Sequence, residues 1–145
     1  MYDDVLVPTD GSEGTAETLR HAVELAGNHD ATLHALAVVD ERKARSLPEE
    51  RRDEAMETMH RRAERAVDEV AMRAEEGDVP VRTAVREGAP AERVLDYAED
   101  VDVIVIGTHG RSDHERYVRL GSVAQRVVEN ARVPVFVVHI DGDTS

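Results

Sequence analysis

The residues in this chain best suited to chemistry lie in two loops built from glycine, hydroxyl and carboxylate side chains. The first, Pro8-Thr9-Asp10-Gly11-Ser12, directly follows the short apolar run Val5-Leu6-Val7. The second opens as Ile106-Gly107-Thr108-His109-Gly110 at the end of the apolar run Val103–Ile106, and resumes as Gly121-Ser122-Val123. Glycine lets a backbone approach a ligand closely, and a helix N-terminus offers N–H groups and the positive end of a dipole. Gly110, Gly121 and Ser122 are therefore suited to cradle an anion such as phosphate, with Arg111 adding positive charge. Each feature also has a plain structural use. Ser122 with Gln125 fits a capping box, Asp10-Gly11-Ser12 fits an Asx turn at a helix start, and His109 can order its own loop. What lifts them above the structural reading is convergence, because both loops follow strands whose ends meet at one crevice.

The elements that must position these loops are legible in the hydrophobic period. Ala16, Leu19, Val23 and Ala26 recur at helical spacing and stop at Gly27-Asn28. Residues 32–39 read as a strand, followed by a polar stretch from Asp40 to Pro48. The longest helical stripe is Met56, Met59, Ala63, Val67, Val70 and Ala74, which reads as core and closes at Gly77-Asp78. Residues 79–86 alternate with period two, and Pro80, Arg82 and Arg86 mark an edge strand. Ala91, Val94, Leu95 and Ala98 form a short helix. The unbroken Val103-Ile104-Val105-Ile106 is a central parallel strand buried on both faces. Ala124, Val127, Val128 and Ala131 mark a last helix, and Val135–Val138 a last strand. Five strands alternating with four helices predict an α/β fold, a single doubly wound parallel sheet. In such sheets ligands bind beyond the carboxyl ends of the strands, where the strand order reverses. One domain spans residues 1–140, and residues 141–145 form a tail.

Composition removes several function classes. The 145 residues carry 31 acidic and 18 basic side chains, a formal net charge of −13. Such a chain is repelled by phosphate backbones, and Tyr2, Tyr97, Tyr117 and Phe136 are too few aromatics for a base-stacking platform, so no nucleic-acid partner is expected. Without cysteine there is no disulfide, thiol nucleophile or thiolate metal site. The longest apolar run, Ala35–Val39, falls far short of the ~20 residues that span a bilayer, and the start lacks a basic signal region, so the expected location is cytoplasmic without membrane contact. Carboxylates spread along the whole chain beside a single lysine, Lys43, point to a halophile, where molar salt screens self-repulsion within ~3 Å. His109 and His114 lie five apart with no third ligand implied, so no metal site is expected from the side chains alone.

At the two loops the chain resembles the universal stress protein family. Members of that family carry a hydrophobic strand ending in Pro-x-Asp and a late Gly-x-x-Gly-x9-Gly-Ser/Thr motif. Val5-Leu6-Val7-Pro8-Thr9-Asp10 is similar to the first, and Gly107-Thr108-His109-Gly110 with Gly121-Ser122-Val123 to the second. Val38-Val39-Asp40 and Glu87-Gly88-Ala89-Pro90 extend the resemblance over nearly the whole length. It implies a Rossmann-like fold of the adenine nucleotide alpha hydrolase-like type and membership among the ATP-binding relatives. By resemblance, Pro8, Thr9 and Asp10 hold the base or ribose, and the backbone near Val38 meets adenine. Ile106, Gly107, His109 and Gly110 line the ribose and first phosphates, and Gly121, Ser122 and Val123 take the remaining phosphates. The ligand implied is ATP or another adenine nucleotide such as AMP, with Mg2+ arriving alongside it. One departure stands out: ten residues, Arg111–Leu120, separate the second and third glycines, where the family pattern has nine. That segment holds Asp113, His114 and Glu115, whose carboxylates oppose a triphosphate, and Arg111, Arg116 and Arg119, which offset them.

The function expected is a nucleotide-binding regulatory or signalling protein in the stress response, with no catalytic residues assigned. The alternatives are slow ATP hydrolysis and an interaction module with a vestigial pocket. No Gly-x-x-x-x-Gly-Lys-Ser/Thr loop is present, and no set of metal ligands and water-orienting residue is evident for fast phosphoryl transfer. Val135, Phe136, Val137 and Val138 are apolar on both faces yet fall at the end of the strand order, which predicts a homodimer through that strand.

Overall fold

The computed structural model describes residues 2–10, 15–108 and 120–139. In chain order its elements are β1 (Asp4–Pro8), α1 (Thr15–Asn28), β2 (Thr32–Val39), α2 (Glu41–Arg45), α3 (Glu49–Glu76), β3 (Val81–Glu87), α4 (Pro90–Tyr97), a single 3-10 turn (Ala98–Asp100), β4 (Val103–Gly107), α5 (Ser122–Asn130) and β5 (Val135–Val138). The five strands form one parallel sheet in the order β3-β2-β1-β4-β5. The expected α/β sheet is thus present, with β3 and β5 at its two edges. The chain winds outward from β1 through β2 to β3, then crosses back to β4 and β5, so the order reverses between β1 and β4.

Alternation along the strands sorts the core into two halves. Val5 and Val7, Leu33, Ala35, Ala37 and Val39, and Val103 and Val105 face one layer, where Leu19, Ala22 and Ala26 of α1 and Val67, Val70 and Ala74 of α3 cover them. Leu6, Leu36, Ile104 and Ile106 face the other, under Ala91 and Val94 of α4 and Ala124 and Val127 of α5. The methionine-bearing stripe of α3 is core as expected, with Met56 and Met59 packed partly buried against the first layer. Burying each such leucine or valine contributes about 1.5–3 kcal/mol.

Three local features differ from expectation. The polar stretch after β2 contains α2, because the Asp40 carboxylate accepts the Arg42 N–H and starts a helix there. A fifth helix therefore joins the four expected. The glycines that stop α1 and α3 are not themselves in the left-handed region. Asp30 (φ 54°) and Asp78 (φ 58°) are, and each closes a Schellman turn. In these turns Ala31 N–H donates to Ala26 C=O (2.9 Å) and Val79 N–H to Ala74 C=O (2.8 Å). Third, His34 interrupts the apolar face of β2 yet is buried, because its two ring nitrogens meet Asp4 Oδ1 (2.8 Å) and the Tyr97 hydroxyl (2.7 Å). Burial pushes the Tyr97 hydroxyl up from its ordinary pKa. This cluster lies at the amino end of the sheet, away from the two loops.

Candidate functional site

The crevice expected in such a sheet lies at the carboxyl ends of β1 and β4, the neighbours between which the strand order reverses. Toward β2, β1 stays in register out to Pro8↔Leu36, and Thr9 N–H adds a further bond to Leu36 C=O (2.9 Å). Toward β4 the register covers Val5↔Val103 and Leu6↔Ile104. The ladder toward β4 stops where Pro8 has no N–H to offer, and it does so at the point where the strand order reverses, which is where doubly wound sheets take ligands. Pro8 suits this end of β1, since a strand terminus does not require its missing N–H.

Around that opening the structure brings together most of the expected residues. Thr9 is buried and Asp10 exposed beyond β1, while Val38 sits half-buried near the end of β2. Ile106, Gly107 and Thr108 end β4. Gly121 is buried against that end: its N–H donates to Thr108 C=O at 2.6 Å, and its own C=O accepts the Gln125 N–H (2.8 Å) that begins α5. At φ −62° Gly121 occupies a conformation open to any residue, so its value lies in the missing side chain. His109, Gly110 and Arg111, and the Gly11-Ser12 turn after Asp10, lie outside the described residues.

The capping reading of Ser122 does not hold. Gly121 is the N-cap without a side-chain cap bond, Ser122 is the exposed first helical residue, and the Gln125 amide reaches forward to Glu129 Oε2 (3.2 Å). Helix α5 also differs from its companions in charge. Glu17, Glu41, Glu49, Glu50 and Glu92 occupy the first turns of α1 to α4, but the first turn of α5 has no carboxylate. Within that turn no side chain compensates the dipole end, which favours an anionic ligand there. These features fit a phosphate-bearing group. Among the described residues no group of three or more His, Asp and Glu is set to hold a metal ion.

Two features near the base end were not singled out from the sequence. Arg42 Nε and Nη2 grip both oxygens of Asp40 at 2.9 Å, and this fork holds the Asp40 carboxyl below the usual carboxylate range. Asp40-x-Arg42 at the end of a strand is the signal that could have disclosed it. Gly88 (φ 137°) donates its N–H to Val39 C=O (3.0 Å), tying the end of β3 to that of β2 beside Val38.

Comparison with known proteins agrees with this fold. A universal stress protein of Methanocaldococcus jannaschii is 39% identical over 141 residues, 95% of this chain and 82% of that protein. The solved structure of a second protein of that organism, MJ0577, superposes with a TM-score of 0.86 at 30% identity, covering 96% of each chain. Two more distant structures share the fold. A universal stress protein in complex with cAMP has a TM-score of 0.67 at 23% identity, covering 96% of this chain and 98% of its own. One from Archaeoglobus fulgidus in complex with dAMP has a TM-score of 0.70 at 20% identity, covering 94% of this chain and 97% of its own. No described helix is long and apolar enough to cross a membrane. The family model for universal stress proteins matches residues 1–139, and the chain belongs to the universal stress protein family.

Proposed function

We propose that this chain binds an adenine nucleotide, ATP or AMP, at the crevice between β1 and β4, and acts through its bound state and its partners. The observation that carries this is a buried Gly121 at a carboxylate-free helix terminus, bonded to Thr108 just past the carboxyl end of β4, where the strand order reverses. Family members crystallised with cAMP and dAMP support the adenosine monophosphate portion of the ligand. In this reading Asp10 and the backbone near Val38 take the base and ribose. Gly107, His109 and Gly110 line the ribose and the first phosphates, and Gly121, Ser122, Val123 and Arg111 the remainder. A magnesium ion would enter with the phosphates rather than on a preformed side-chain cluster. The active form is a homodimer through β5, whose Phe136 and Val137 are 44% and 40% exposed on an edge without charged side chains, whereas β3 guards its edge with Arg82 and Arg86.

The test is titration calorimetry of the chain and of Gly121→Val with ATP, AMP and adenosine in concentrated potassium chloride. The parent should bind all three, and the valine should weaken ATP and AMP while sparing adenosine and the fold. No binding by the parent, or equal ATP affinity in the mutant, would sink this reading. Adenosine diphosphate released from the purified protein would favour the second reading, slow hydrolysis.

A further inference from the structure

The structure ties the proposed phosphate end of the crevice to the open edge of the sheet. Val138, the last residue of β5, accepts the Thr108 N–H at 3.0 Å, Thr108 C=O accepts the Gly121 N–H at 2.6 Å, and Gly121 C=O accepts the Gln125 N–H at 2.8 Å. Consecutive backbone bonds thus run from the edge strand to the first turn of α5. They begin at an edge of the sheet. β5 has four residues and a single neighbour, β4. Short edge strands with exposed side chains belong to the low-stability end of a fold, where ordering costs free energy.

The ladder also shows which groups β5 offers outward. Ile104 N–H donates to Pro134 C=O and Thr108 N–H to Val138 C=O, so those carbonyls point toward β4. By the pleat, Val135 and Val137 present their N–H and C=O groups to the open side. A second copy laid antiparallel about a two-fold axis would pair these same groups reciprocally. It suits this edge because β5 is uncharged and meets only itself, in a chain whose net charge of −13 would resist close approach elsewhere.

We propose that pairing of the β5 edge with a second copy of this chain tightens the phosphate end of the nucleotide site, through Val138, Thr108 and Gly121. The inference rests on the nucleotide reading above. In one chain β5 is held by β4 alone; a partner on its open side restrains it further, so less freedom is lost when phosphate engages Gly121 and the same ligand binds the dimer more tightly. Linkage makes the effect reciprocal: each bound nucleotide strengthens the dimer by the same factor. The bonds lead to Gly121 and not to Asp10 or Val38, so the gain belongs to the phosphates and not to the nucleoside.

Val137→Pro tests this, because it removes an outward N–H and leaves the inward ladder to β4 intact. Sedimentation and calorimetry with ATP and with adenosine should show a folded monomer whose ATP affinity has fallen about fivefold or more, the low end of ordinary coupling, with adenosine affinity unchanged. Saturating ATP should lower the dimer dissociation constant of the parent by the square of that factor, since each dimer holds two sites. A folded monomer with parental ATP affinity, an equal loss for adenosine, or a parent that is monomeric at every concentration overturns the coupling. A parent that binds neither ligand overturns the nucleotide reading itself. Should the variant fail to fold, dilution of the parent through its dissociation range while ATP affinity is followed gives the same decision.

Discussion

Replacing Gly88 with alanine should destabilise the protein, although the same replacement at Gly27 should stabilise it. Gly88 carries the chain from β3 into α4 at φ 137°, a conformation L side chains rarely adopt. A Cβ there would lie 3.2 Å from Cδ and Nε of Arg93, whose guanidinium is held by Asp96 at 3.0 Å. The contact is tight, but Arg93 is long and half-exposed and yields by a few tenths of an ångström, so the backbone term dominates. Held in a sparsely populated region, alanine costs about 1–3 kcal/mol, offset by about 0.4–1 kcal/mol from the stiffer unfolded chain. The net expectation is about 1–2 kcal/mol of lost stability, or roughly 2–8 °C in Tm for a domain of this size. Gly27 lies within α1, and its added Cβ would meet Val79 Cγ2 at 3.7 Å, an ordinary contact. There the unfolded-state and helix-propensity terms act unopposed, for a gain of about 0.5 kcal/mol. Urea midpoints for both variants at fixed high salt decide the matter. A Gly88→Ala protein as stable as the parent would refute the reasoning from φ.

The left-handed aspartates carry the converse prediction: Asp30→Gly and Asp78→Gly should each raise stability by about 0.5–1 kcal/mol, read as a higher urea midpoint, because glycine meets no Cβ penalty at these turns. Arg42→Ala should lower Tm near neutral pH and cease to matter in acid. The folded Asp40 carboxyl titrates below its ordinary value, so its pairing contributes above the unfolded carboxylate range and is lost as pH falls through the folded one; a Tm gap that persists in strong acid would contradict the pairing. With a net charge of −13, Tm should climb from tenths molar to several molar potassium chloride as repulsion is screened, and greater stability in dilute salt would count against the halophilic reading.

By itself, the sequence determined which residues are core, which face each strand residue serves, and what kind of sheet results. Period two in residues 79–86, the continuous run of β4 and the 3.6-residue stripe of α3 are local patterns, and burial at Val70, Val103 and Val105 follows from them. The two loops could be singled out because glycines, Pro8-x-Asp10 and Gly121-Ser122 are constrained by backbone chemistry rather than by distant neighbours. Local pattern names a face but not a neighbour, so the rest waited for the tertiary structure. Only packing decides that Asp30 and Asp78 rather than the glycines before them take the left-handed turn, and that Gly121 rather than Ser122 caps α5. His34 is tolerable inside only because Asp4 and Tyr97 arrive from 30 and 63 residues away. The crevice has the same origin: the strand order sets β1 between β2 and β4, a choice of neighbours that no single strand encodes. The bonds from Val138 through Thr108 to Gly121 are likewise invisible along the chain, because backbone N–H and C=O groups are identical at every residue and only the sheet decides which of them meet.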